Sequence, residues 1–347
     1  MRLRVAVVGA TGAVGSVMLR LLRERGWVGG RASEIVAFAS ERSVGRELDG
    51  GLVVSALSDE TIQGFDVALF SAGATRSRQW APRFVAAGAV VVDNSSAFRM
   101  DDEVPLVVSE VNPAALDGHN GIVANPNCTT MVAMLPLKAL HDEFDLRAIV
   151  PTSFQAAGGA GQKGIDELAE QIAPLHADVA QLCDDGAAAA AKVQPAVHAA
   201  TLAFNVVPLL GALGEEGYTD EELKLRNESR KILGIPDLAV SPTCVRVPVM
   251  VGHGVAVRAT FARPVDLDRA LELLRAFPNL VVDDVPTPLE YAGRDEVAVG
   301  RVRRDLADPC SLNFFVVGDN LLKGAALNTV QLAETLYERG LVGARVV

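Results

Sequence analysis

The stretch Gly9-Ala10-Thr11-Gly12-Ala13-Val14-Gly15 follows an apolar run, Leu3–Val8, and leads into a helical pattern over residues 16–25. Strand, glycine loop and helix in that order open a nucleotide-binding unit. The glycines allow tight turning, and backbone N–H groups can approach a pyrophosphate at the positive end of the helix. The spacing Gly-x-x-Gly-x-x-Gly departs from the commonest dinucleotide fingerprint, so the strand–loop–helix context carries the reading against a purely structural turn. Outward from it, residues 35–39, Val67–Phe70 and residues 90–92 read as strands, with helical patterns between several of them. Alternation of this kind over the first 127 residues predicts a parallel sheet with crossover helices, a Rossmann-like α/β dinucleotide-binding domain.

From about residue 146 the pattern changes to longer strand candidates, at residues 147–154, 243–249, 255–262 and 311–317. They predict a second, mixed α+β domain. The expected division is 1–127, completed by a C-terminal helix over 325–347, and 128–324. The alanine-rich segment 186–200 is either a helix or a surface insertion, because Pro195 interrupts it.

The chain has 347 residues, half of them apolar and 22% charged, with a formal charge of -11. A length of this order suits two domains. Bulk negative charge disfavours nucleic acid and anionic lipid, so an anionic substrate needs its own basic residues. Cys128, Cys183, Cys244 and Cys310 show no spacing typical of zinc sites or compact disulfide frameworks. No metal is expected, and a reducing cytoplasm is the simplest location. The first residues run straight into a strand pattern, leaving no room for a signal peptide, and polar residues break the longest uncharged stretch, so no membrane span is expected.

The residues suited to chemistry are spread along the chain. Cys128 ends Asn125-Pro126-Asn127-Cys128 and precedes a helical pattern over 129–140. A thiol at a helix N-terminus is placed where the dipole favours a thiolate, although free cysteines are more often buried hydrophobes. Arg42 and Ser43 follow the second strand, where they could hold a 2′-phosphate, while Glu41 could instead serve a ribose hydroxyl; NADP is favoured over NAD. Arg99 closes Asp93-Asn94-Ser95-Ser96-Ala97-Phe98-Arg99 and reads as an anion ligand, with a surface salt bridge as its alternative. Gln155 leads into the glycine-rich loop holding Gly158 and Gly159. Arg246 suits a carboxylate and His253 suits proton chemistry near neutrality. Glu221 and Lys224, on one face of a helical pattern over 219–233, read by themselves as a surface ion pair.

Together these stretches resemble the aspartate-semialdehyde dehydrogenase family nearly end to end, through GATGAVG, DNSSAFRM, NPNC, FQA with its glycine loop, AFNVVP, GYTDEELK, CVRVPVMVGH and NLLKGAALNTVQ. The resemblance implies NADP-dependent, reversible conversion of aspartate semialdehyde and phosphate to aspartyl phosphate, a step in lysine, threonine and methionine biosynthesis. It implies Cys128 as the nucleophile forming a thioester and His253 as the acid/base. It implies Gln155, Glu221 and Arg246 as substrate contacts, and Arg99 and Lys224 as phosphate ligands. Thr11, Gly12, Ala13, Val14, Arg42, Ser43, Gly158, Gly159 and Asn328 would line the cofactor site. The second domain would be catalytic and dimerising, giving a homodimer or a dimer of dimers.

Three positions depart from the family's usual pattern. Gly158 stands where serine is common, Gly254-Val255 where Ser-Glu follows the histidine, and Ser109 where proline often precedes Glu110. The nearest rival enzyme is an N-acetyl-gamma-glutamyl-phosphate reductase, which usually has glycine at the position of Asn127. A catalytically impaired NADP-binding paralogue is the alternative from another class.

Overall fold

A computed structural model describes residues 2–342, apart from the Glu215 side chain. They divide into two compact units, one of residues 1–127, 231–235 and 321–347, the other of residues 128–230 and 236–320. Within the described residues the first unit carries a five-stranded parallel sheet in the spatial order Ala32–Phe38, Leu3–Val8, Val67–Phe70, Val90–Asp93, Ile122–Ala124. The inner strands are short and buried on both faces, as a parallel sheet covered by helices requires, while the edge strand Ala32–Phe38 exposes Ser33 and Glu34. The order reverses between Leu3–Val8 and Val67–Phe70, which is where ligands collect in open α/β sheets.

Gly9 lies at that reversal with φ +90°, and a side chain there would come within 2.2 Å of the Ser71 carbonyl. Only glycine fits. The helix Ala13–Glu24 then starts with Gly12 as its N-cap and no acidic residue in its first turn. The helix Leu327–Glu338 packs on the same core, burying Val330, Ala333 and Leu336. Fully burying a valine or leucine contributes roughly 1.5–3 kcal/mol. Residues 343–347 of the expected C-terminal helix lie outside the described residues. Just before that helix, Leu322–Ala326 forms a π-helical turn.

The second unit holds a mixed seven-stranded sheet in the order Thr243–Arg246, Leu146–Gln155, His253–Phe261, Ser311–Gly318, Val297–Arg304, Leu280–Val282, with Ala239–Val240 also paired to Leu146–Gln155. The strand expected over 243–249 stops at Arg246, before Pro248, which has no N–H for a ladder. The strand expected from 255 begins earlier, at His253, whose backbone pairs with Gly318. The alanine-rich stretch is helical only over Gly186–Ala190, capped where Asp185 accepts from the Ala188 N–H at 3.0 Å. The helix Cys128–Phe144 is apolar nearly all round and is buried accordingly.

Candidate active site

Cys128 is the first residue of its helix. Its Sγ lies 3.2 Å from Nε2 of His253, the first residue of its strand, whose side chain is wholly buried. The strand Leu146–Gln155 lies between those of Arg246 and His253, and Arg246 is in register with Gln155. The next residue, Ala156, serves both neighbours through its two backbone groups. Its N–H donates to His253 Nδ1 at 3.1 Å, and its carbonyl accepts from Arg246 Nη1 at 2.6 Å.

The electrostatics follow from this packing. Burial, then the nearby Arg246 charge, push the His253 pKa down to about 3, against weaker support for the cation from the Gly252 backbone. Burial also lowers the pKa of Arg246, while Cys128, Glu221 and Cys244 act in the opposite direction. Cys244, two residues before Arg246 on its strand, is pushed up to about 12 by burial. Among four cysteines, Cys128 is thus the one placed against a histidine, and Cys244 is held as a neutral thiol.

Glu221 and Lys224 are more than a surface pair. Lys224 Nζ donates to Asp220 at 2.7 Å and to Glu221 at 3.2 Å, and Glu221 is within electrostatic reach of Arg246. Burial alone would lower the Lys224 pKa, but the two carboxylates outweigh it and the net shift is upward. Gln155 is buried, its Nε2 donating to Ser153 at 3.2 Å. Cys128, Gln155, Glu221, Arg246 and His253 are thereby gathered in one unit.

The departures at glycine have packing reasons. A side chain at Gly158 would come within 2.9 Å of the Met250 carbonyl, and one at Gly159 within 2.7 Å of Arg246 and 3.3 Å of His253. At Gly254 it would meet the Phe315 ring at 2.6 Å. Phe315 occupies the space that a serine would need.

Arg99 belongs to the first unit. Asp93, its pKa raised by burial, accepts hydrogen bonds from Ser77, Ser95 Oγ and the Ser95 N–H, and so holds the turn that leads to it. Arg99 Nε donates to the Asn125 carbonyl at 2.9 Å and Nη2 to the Asn94 carbonyl at 3.0 Å. Arg42 and Ser43 lie in a short turn, Glu41–Ser43, after the second strand. A cavity of ≈ 180 Å³ next to Thr11 is lined also by Ser16, Arg23 and Arg46. Arg46 is a basic residue that the sequence reading passed over; its spacing three residues beyond Ser43 was the available signal.

Asn328 is wholly buried and its amide is fully engaged. Oδ1 accepts from Lys323 and Ser109, and Nδ2 donates to the Val107 carbonyl and to Asn125 Oδ1. Its side-chain amide is therefore committed to partners within the protein. In the second unit, Glu167 accepts from the N–H groups of Ala196, Val197 and His198, anchoring a segment that lines a cavity of ≈ 260 Å³ with Arg246, Ala160 and Gly211. Glu167 also escaped the sequence reading, because its partners are about thirty residues away in an irregular segment.

A glycine-loop parallel sheet in one unit and a cysteine–histidine pair beside a partly buried arginine in the other suit a dinucleotide-dependent oxidoreductase. Two family profiles, described as the NAD binding domain and the dimerisation domain of semialdehyde dehydrogenase, match residues 4–119 and 137–323. The chain belongs to the aspartate-semialdehyde dehydrogenase family. It is 51% identical to an aspartate-semialdehyde dehydrogenase of Streptomyces akiyoshiensis, over 96% of this chain and 98% of that one. Among solved structures it resembles aspartate semialdehyde dehydrogenase II of Vibrio cholerae complexed with ASA, with TM-score 0.89, 39% identity and coverage of 97% and 99%. It also resembles the Candida albicans enzyme with NADP, with TM-score 0.73, 25% identity and coverage of 98% and 100%.

Proposed function

We propose that this enzyme oxidises L-aspartate 4-semialdehyde with phosphate to L-4-aspartyl phosphate, reversibly and with NADP, through a thioester on Cys128. The observation that carries the reading is the 3.2 Å approach of Cys128 Sγ to His253 Nε2 beside the partly buried Arg246. The Cys128 thiolate attacks the aldehyde carbon. His253, accepting at Nδ1 from Ala156, offers its Nε2–H to the oxyanion of the resulting hemithioacetal, and no proton need pass through the ring at this step. Arg246 binds the substrate carboxylate, Glu221 meets its amine and Gln155 orients it. Phosphate held by Arg99 and Lys224 then attacks the thioester carbonyl and expels the thiolate as the acyl phosphate leaves.

The glycine loop suits a dinucleotide: its helix start lacks an acidic first turn, and Arg42, Ser43 and the nearby Arg46 suit a 2′-phosphate. Thr11, Gly12, Ala13 and Val14 would face the pyrophosphate, and family resemblance assigns Gly158 and Gly159 to the same cofactor. Asn328 acts on that site through the residues it holds. NADP, when bound, accepts the hydride that turns the adduct into a thioester. The enzyme works as a homodimer or dimer of dimers in the cytoplasm, supplying lysine, threonine and methionine synthesis; no described helix is long and apolar enough to cross a membrane.

The test is phosphate-dependent NADPH formation with aspartate semialdehyde and, in parallel, with N-acetylglutamate semialdehyde. Activity with the first, abolished in Cys128→Ala, is expected. Protein that binds NADP yet turns over neither substrate overturns the reading.

A further inference from the structure

Lys323 has no exposed surface and sits in the π-helical turn Leu322–Ala326. Its Nζ is surrounded by Glu110 Oε2, Gln331 Oε1 at 2.7 Å, and Ser109 Oγ and Asn328 Oδ1 at 3.1 Å each. A buried ion pair is a weak source of net stability, since apolar side chains of like volume usually do as well. π-turns, for their part, occur frequently at functional sites. Both considerations ask what else the ammonium does.

Its partners lead in one direction. Asn328, held at Oδ1 by Lys323, donates from Nδ2 to Asn125 Oδ1 at 2.7 Å. Asn125 donates in turn to Asn94 Oδ1 at 2.6 Å. The backbone carbonyls of these same two asparagines receive Arg99 Nε and Nη2. An arginine presents five N–H donors in a rigid fork, so fixing two of them sets the plane in which the fork lies. Asn125 is also three residues before Cys128 in the chain. Ser109 strengthens the cluster in a way that proline could not, because its backbone N–H donates to Asn328 Oδ1 at 3.1 Å.

We infer that Lys323 is a positioning residue for the phosphate step, fixing the Arg99 guanidinium through Asn328, Asn125 and Asn94. The inference rests on the reading of Arg99 as a phosphate ligand. Lys323 touches neither substrate nor phosphate; it sets the geometry of the group that does.

The test compares Lys323→Met, the paired variant Lys323→Met/Glu110→Met and Arg99→Ala in the full-length enzyme with NADP, using inorganic phosphate as the varied ligand. The paired variant removes both buried charges, so that it folds even where the single variant does not. The KM for phosphate is expected to rise at least tenfold in the paired variant while that for the semialdehyde changes less than threefold. Equal loss in both constants, or no change in either, overturns the inference. If Arg99→Ala leaves the phosphate KM untouched, the reading of Arg99 falls and the inference with it. A raised phosphate KM in Arg99→Ala with an unaltered one in the paired variant overturns the positioning role alone.

Discussion

The backbone N–H of Ala156 points at Nδ1 of His253 from 3.1 Å, so the neutral imidazole carries its proton on Nε2, the nitrogen that faces Cys128. A protonated ring would turn an N–H toward the Ala156 N–H. Together with burial and Arg246, this arrangement holds His253 neutral far below its ordinary range. The histidine of the pair is therefore a neutral donor rather than an imidazolium.

The pH dependence of kcat/KM should accordingly show no acid limb near 6.5 from this histidine, because its folded pKa lies at about 3. His253→Ala should lower kcat about 10²- to 10⁴-fold, the range for a positioned proton-bearing group. His253→Gln, which keeps a side-chain N–H, should lose less. Steady-state rates between pH 5.5 and 8.5 check both; a limb at 6.5 that vanishes in the variants would contradict the neutral donor.

Stability should depend on pH through the same ring. The unfolded histidine titrates near 6.5 and the folded one near 3, so between these values the unfolded state binds more protons and stability falls as the solution is acidified. The loss should be about 2 kcal/mol between pH 7 and pH 5, at ~1.4 kcal/mol per unit below 6.5. Urea unfolding at the two pH values should show His253→Asn losing about that much less than the parent.

Thiol labelling should separate the cysteines. With a pKa of about 12, Cys244 is ionised to only about 1 part in 10⁴ at pH 8 and is buried besides. Iodoacetamide followed by peptide mass spectrometry should label exposed Cys183 and the partly exposed Cys128, with loss of activity tracking Cys128, and leave Cys244 intact.

Gly254→Ser should destabilise the second unit by about 1–3 kcal/mol, because its side chain meets the Phe315 ring at 2.6 Å. Phe315→Leu should recover most of that loss when combined with it. Additive losses in the double variant would show that the two positions do not share the space.

The glycine loop, the placement of Cys128 at a helix start and the change from parallel to mixed sheet were legible because each is written in contiguous residues. Arg246 and His253 were found through their residue types and strand setting, but the Ala156 backbone groups that join them leave no mark on side-chain patterning. The strand ends at Arg246 and His253 were misjudged where Pro248 and a glycine turn break an apolar run. Lys323 and Glu110 are 213 residues apart, and no local periodicity predicts that a lysine within an apolar stretch finds a carboxylate there. The engagement of the Asn328 amide was equally illegible, because it depends on Val107, Ser109 and Asn125, all about two hundred residues earlier.

The Ala156 backbone also works as a caliper. The N–H and the carbonyl of one residue, on the two peptide planes that meet at its Cα, hold the histidine and the arginine, and the extended backbone at Ala156 (φ -67°, ψ 154°) sets the angle between those planes. With Arg246 and Cys128 in the roles proposed above, the gap between gripping point and reacting carbon is set for one length of carbon skeleton. On that reading a semialdehyde one methylene longer is expected either to release Arg246 or to overshoot Cys128, and discrimination by chain length is expected to survive changes to most of the pocket's side chains.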